Sequence, residues 1–159
     1  MPIRPSPPVE FQPPDGFPSH TLLPLLSRIF QEMTLRSIRK WGLQPNVCIV
    51  LGHLHCDPHM AEPAEIAHAA RLPRQTMTFV LDILEKRGLA RRKPHPSDRR
   101  RKIVQLTAKG QRLAQQVLDD MIQVETAALG GISTADADVV RSLMFRYAVA
   151  ICDQNDRQP

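Results

Sequence analysis

Two short runs carry the side chains best suited to chemistry, and the chemistry is non-covalent. In the first, Arg74 presents a fork of donors, Gln75 both donates and accepts, Thr76 and Thr78 offer hydroxyls and methyls, and Phe79 adds an apolar face. The second, ARRKPHPSDRRRKIVQLT, places Arg91, Arg92, Lys93, Arg99, Arg100, Arg101 and Lys102 around a turn whose one acid is Asp98. From Arg71 to Arg112 there are 13 Lys or Arg against three acids (Asp82, Glu85, Asp98), a local net of +10 in a chain whose total is +5, so the remainder sums to −5. Like charges at this density repel and gain nothing within one chain. A polyanion is the partner they suit, through release of its condensed counterions.

Those donors match the edges of base pairs. Arg74 can donate a bidentate pair to guanine and Gln75 can pair with adenine, while the threonines suit phosphates or thymine methyls. Arg99 or Arg101, near the tip of the turn, suits a narrow minor groove. Asp98 is expected to pair with Arg100, holding the turn and aiming that side chain.

Covalent chemistry finds little support. There is no Ser-His-Asp phrase, no glycine-rich phosphate loop and no convincing carboxylate pair, and only seven glycines. We therefore expect no enzyme and no cofactor. Three cysteines (Cys48, Cys56, Cys152) make no disulfide framework, which suits a reducing compartment. Without a membrane-length apolar run or a signal-peptide core, the expected location is cytoplasmic.

The elements that position these residues read as mainly helical. Apolar content is 42% but aromatic content only 4%, which suits packed helices of Leu, Ile, Val, Ala and Met. Residues 1–18 hold seven prolines and read as a flexible arm. A first helix spans about Thr21–Lys40, with Leu22, Leu25, Leu26, Ile29, Phe30 and Met33 at helical spacing. A second begins at Pro45 and ends near Cys56, apolar nearly all round and so buried. Pro63 to about Ala70 is a short third helix. Pro73 opens a fourth, reaching about Arg87, with Met77, Val80, Leu81 and Leu84 as its buried face. Gly88 is its C-terminal cap, with Leu89 packing back. Strands near Leu89–Lys93 and Lys102–Leu106 follow, separated by Pro94–Asp98. Thr107 caps a long helix, about Ala108–Leu129, whose Ala114, Val117, Met121, Val124 and Ala128 make a coiled-coil-like seam. Leu118, Ile122 and Leu129 form a second strip, so this helix needs two neighbours, one of which can be another subunit. Gly130-Gly131 ends it. Ser133 and Asp136 mark the start of a last helix carrying Val140, Leu143, Met144, Tyr147 and Ile151, and the tail 153–159 is expected to fray.

Two short helices, a tight turn and a basic hairpin make a winged helix-turn-helix. The residues resemble the MarR family of bacterial transcriptional regulators. The family's wing pattern, D-x-R-x-x-x-L/V-x-L-T, reads here as Asp98, Arg100, Val104, Leu106, Thr107. The L-E-x-R-G-L phrase (Leu84, Glu85, Arg87, Gly88, Leu89) and the T-x-x-G phrase (Thr107, Gly110) agree with it. Over about residues 20 to 152 the resemblance implies one domain, 19–152. Its winged helix-turn-helix lobe is 45–107, and 19–44 and 108–152 are dimerisation helices. It implies a homodimer on a pseudo-palindromic double-stranded DNA operator, usually as a repressor. Two departures stand out. Arg71 occupies the turn position where glycine is usual and Pro73 the position of a capping serine, with Pro73 expected in the helix's first turn. Phe79 replaces a commonly basic residue and is expected to touch a thymine methyl or sugar, or to pack beneath the wing.

The resemblance also implies a small-molecule effector, often aromatic and anionic, held near the first, second and fifth helices, with His20, Arg28, Arg36 and His53 as candidate polar groups. HLHCDPHM supplies His53, His55, Cys56 and His59, but their spacing fits no compact zinc motif, and no metal site is expected. Cys48 reads as a small buried hydrophobe and Cys56 as exposed. A redox- or zinc-responsive regulator of the same fold, and a winged helix used for protein contact, remain alternatives.

Overall fold

In the computed structural model the described residues are 21–59, 62–98 and 100–156. The order is α1 (Leu23–Trp41), α2 (Pro45–Cys56), α3 (Pro63–Ala69), α4 (Arg74–Lys86), β1 (Ala90–Pro94), β2 (Lys102–Leu106), α5 (Ala108–Leu129) and α6 (Thr134–Asp156). The chain divides into two compact units, residues 1–114 and 115–159. The arm 1–18, His20, Arg99 and 157–159 lie outside the described residues.

In the first unit, prolines set the helix starts of α1, α2 and α3, where the lost amide has no intrahelical partner. Helix ends are set by left-handed residues. Gly42 (φ 61°) closes α1 and Gly88 (φ 67°) follows α4. Leu89 N–H then reaches back to the Leu84 carbonyl at 2.8 Å and Gly88 N–H to Glu85 at 2.9 Å, a Schellman motif. The core gathers Val47, Val50, Leu51 and Leu54 of α2, Ile66 of α3, Met77, Val80, Leu81 and Leu84 of α4, Leu89, and Val104 of β2, all at most 3% exposed. Each contributes roughly 1.5–3 kcal/mol relative to exposure.

Two strand and helix boundaries differ from the sequence reading by one residue, for local reasons. Leu89 cannot open β1 because its N–H closes the Schellman motif, so β1 is Ala90–Pro94, antiparallel to β2 with Ala90 opposite Leu106 and Pro94 opposite Lys102. Pro94 is tolerated at the end of this two-stranded hairpin. Pro73 does not enter the first turn of α4. It is the N-cap, extended at ψ 147°, and its carbonyl accepts from Met77 N–H at 2.9 Å.

Gly110 explains the T-x-x-G phrase. A Cβ there would sit 1.9 Å from the Leu89 carbonyl oxygen, so only glycine lets the first turn of α5 lie against the chain leaving α4. Thr107 completes the junction: its Oγ1 donates to the Gly88 carbonyl (2.7 Å) and accepts from Gly110 N–H (3.1 Å).

In the second unit, Ser133 Oγ accepts from Asp136 N–H at 3.2 Å and caps α6. The tail expected to fray after Cys152 instead continues the helix to Asp156. Ala114, in the first unit, and Val117 of the α5 seam are buried, Met121 and Val124 half-buried, and Ala128 exposed. Large apolar side chains of α6 face solvent in the single chain, Leu143 at 55% and Phe145 at 71% exposure.

Candidate nucleic-acid interface

The turn between α3 and α4 holds in a conformation its sequence resists. Arg71 has φ 52°, the left-handed region glycine prefers. Its N–H reaches the His68 carbonyl (3.1 Å) and Leu72 N–H reaches Ala67 (2.9 Å). This repeats the Schellman geometry after α4, with arginine where glycine is usual. The turn survives because both orphan carbonyls are satisfied.

Beyond it, the buried stripe of α4 fixes what faces outward. Arg74, Gln75, Thr78 and Phe79 are exposed and Thr76 is half-buried. Thr78 Oγ1 donates to the Arg74 carbonyl at 3.1 Å. Of the contacts expected for Phe79, packing beneath the wing does not occur: its side chain is 64% exposed.

The wing is instead joined to α4 through Arg92. In β1 the two-residue alternation puts Arg92 on the same face as buried Ala90, while Arg91 and Lys93 point away. Its Nη1 meets Asp82 at 2.8 Å and Glu85 at 2.7 Å, its Nη2 approaches the Thr78 carbonyl at 3.4 Å, and its backbone N–H donates to Glu85 at 2.8 Å. The wing is thus fastened to α4 by both acids of that helix. A second tie runs from the wing to α3: Arg101 pairs with Glu62, Nε to Oε2 at 3.1 Å, and His95 stands 3.9 Å from the same carboxylate. Glu62 raises the Arg101 guanidinium above its ordinary value, first through that hydrogen bond.

The expectation that the wing cations gain nothing within the chain is therefore corrected for Arg92 and Arg101. Acids on α3 and α4 partner them and set the position of the hairpin. Arg91, Lys93, Arg100 and Lys102 are exposed along it. Asp98 is corrected in part. It holds the turn, with Oδ1 accepting from the backbone N–H of Arg100 at 2.9 Å and its carbonyl from Arg101 N–H at 3.0 Å. It bonds the amide of Arg100 rather than the guanidinium, so it shapes the turn without aiming that side chain.

Sequence reasoning missed four positioning residues. Glu85 and Asp82 stand on α4 at a spacing that shares one face, and Arg92 follows Ala90 by the strand period, so that pairing had a signal. Arg87 donates to the Gly42 carbonyl at 2.7 Å, tying α4 to the end of α1. Glu62 lies 39 residues from Arg101 and had no local signal.

Three of the effector candidates, Arg28, Arg36 and His53, fall within the described residues. Arg28 is exposed and paired with Glu32 at 3.0 Å, Arg36 is exposed, and His53 is half-buried. An open cavity elsewhere, lined by Asp57, His59, Ala64, Glu65, His68 and Ala69, contains none of them. Among the described residues no three His, Cys, Asp or Glu side chains converge on a point. His55 Nδ1 instead bonds Gln111 Oε1 at 2.8 Å. Cys48 is buried and its thiol is pushed up by that burial, against a hydrogen bond with Ser37; Cys56 and Cys152 are exposed. Among the described residues no helix is long and apolar enough to cross a membrane.

Residues 41–101 match the model of the MarR family. This matched segment runs from the end of α1 through the wing and resembles that family's winged helix. The chain is 33% identical over 89 residues to the HTH-type transcriptional regulator PecS of Dickeya dadantii, covering 56% of this chain and 54% of PecS. It is 30% identical over 105 residues to PapX of Escherichia coli, another HTH-type transcriptional regulator, covering 64% of each. The matched stretch thus spans between about half and two thirds of those relatives. Among solved structures, Staphylococcus aureus MepR in complex with DNA superposes with a TM-score of 0.73 at 20% identity, covering 82% of this chain and 98% of MepR. PcaV of Streptomyces coelicolor, in complex with its natural ligand, gives 0.68 at 22% identity, covering 85% and 99%. These likenesses establish the MarR fold, mainly α with a β-hairpin wing.

Proposed function

We propose that this protein belongs to the MarR family and is a sequence-specific, double-stranded DNA-binding transcriptional regulator rather than an enzyme. It acts as a homodimer on a pseudo-palindromic operator in the cytoplasm, as a repressor released by a small-molecule effector. The observation that carries this reading is the outward face of α4 (Arg74, Gln75, Thr76, Thr78, Phe79) standing beside a wing whose remaining cations, Arg91, Lys93, Arg100 and Lys102, are exposed. The Arg92 clasp ties the two elements together, so the helix reads base edges while the hairpin holds phosphate. The dimerisation helices are those leaving apolar side chains in solvent: α1, with Phe30 58% exposed, and α6. The effector role is supported by the ligand-bound relative PcaV and has no site assigned in this chain.

A salt titration of binding to duplexes selected from a randomised pool tests the reading. Affinity should fall steeply and linearly on a log–log scale, with a slope reporting several neutralised phosphates. Binding indifferent to salt would mark the winged helix as a protein-contact module instead.

A further inference from the structure

The outward surface of α4 is polar except at one large apolar side chain, which is mostly uncovered. Phe79 is 64% exposed, on a helix whose Met77, Val80, Leu81 and Leu84 are no more than 2% exposed. The wing is tied to this helix through the Arg92 guanidinium on Asp82 and Glu85, not through Phe79. Thr78 beside it has its hydroxyl hydrogen donated to the Arg74 carbonyl, so outward it offers a methyl group rather than a donor. Gln75 lies one turn before Phe79 on the same face. A bare phenyl ring among cations suits a target that is anionic overall and apolar at one point. In the major groove the thymine C5-methyl is that point, and A·T beside it presents the acceptor–donor pair a glutamine side chain matches.

Resting on the DNA-binding reading above, we propose that Phe79, with the Thr78 methyl, reads the C5-methyl of a thymine adjacent to the adenine paired by Gln75. The operator half-site then contains a T·A pair whose identity is read without a hydrogen bond.

The test uses the full chain and a duplex enriched from a randomised pool. Each thymine is replaced singly by deoxyuridine, which removes only the methyl. One position per half-site should lose about fourfold in affinity, the equivalent of one buried methyl. Phe79→Ala should bind the parent duplex more weakly and be indifferent to that same replacement, while Phe79→Leu should keep part of the sensitivity. Exposure of the side chain makes misfolding of these variants no obstacle, and circular dichroism checks it. Wild-type protein indifferent to deoxyuridine at every position overturns the inference and leaves the DNA reading standing. So does Phe79→Ala weakening parent and deoxyuridine duplexes by equal factors, the signature of a ring lying on deoxyribose. A pool that yields no enriched duplex overturns the DNA reading and this inference with it.

Discussion

Arg71 shows how a single residue can hold a turn against its own preference. Left-handed backbone costs a residue bearing a Cβ about 1–2 kcal/mol, and glycine's extra unfolded-state entropy costs about 0.5–1 kcal/mol. On the backbone alone, Arg71→Gly should therefore gain about 0.5–1 kcal/mol. Arg71→Ala removes the side chain but keeps the strain, so the difference between the two variants isolates the backbone. Urea melts should place Gly above Ala by about 1 kcal/mol; Ala equal to or above Gly would show that the turn does not rest in the left-handed region. The cationic side chain explains why arginine can be retained here: it stands immediately before α4, beside the surface proposed to meet phosphate.

At the level of elements, the wing and α4 behave as one piece because of Glu85. Its carboxylate takes both the backbone amide and the guanidinium of Arg92, and its side chain is only 34% exposed, whereas Asp82 is 60% exposed. Exposed pairs contribute about 0–1 kcal/mol, and charge-assisted bonds to a part-buried amide more. Glu85→Ala should cost about 1–2 kcal/mol and Asp82→Ala less than about 0.5 kcal/mol. Hydrogen exchange at the Arg92 amide should quicken in Glu85→Ala with the α2 core amides unchanged. Equal effects of the two substitutions would mean the clasp is ordinary surface pairing. The same pair marks where the sequence was legible. Helix boundaries, the buried faces of α2 and α4 and the hairpin followed from local periodicity, proline and glycine. The L-E-x-R-G-L phrase acquires a physical account only in three dimensions: Leu84 in the core, Glu85 on Arg92, Arg87 on the end of α1, Gly88 left-handed, Leu89 returning to Leu84. The Glu62–Arg101 tie was not legible, because it joins the N-cap of α3 to a hairpin that arrives 39 residues later. Counting charge over the wing correctly found the cationic element, but a count cannot say which cations already have partners.

For the molecule as a whole, the exposed apolar side chains of α1 and α6 call for a covering surface. Isolated apolar residues on a surface are ordinary, but here they recur along two helices: Leu23, Ile29 and Phe30 on one, Val139, Leu143 and Phe145 on the other, from 53% to 71% exposed. Exposed apolar side chains recurring along a helix suit an association site. A second copy of the chain is the occupant that also places two winged helices on one duplex, which a palindromic site requires. Sedimentation should accordingly give twice 17.9 kDa for the wild type. Leu143→Glu and Phe30→Glu should each shift the population toward the single-chain mass while helix content is kept, since neither residue belongs to the winged-helix core. Operator affinity should then fall by far more than either substitution could cause through a lost contact, because binding a half-site alone forfeits the linkage between two sites. The salt slope should drop toward half, as one wing engages phosphate instead of two. A wild type that sediments as one chain, or glutamate variants that still dimerise and bind unchanged, would remove the twofold arrangement and with it the reason for a palindromic target.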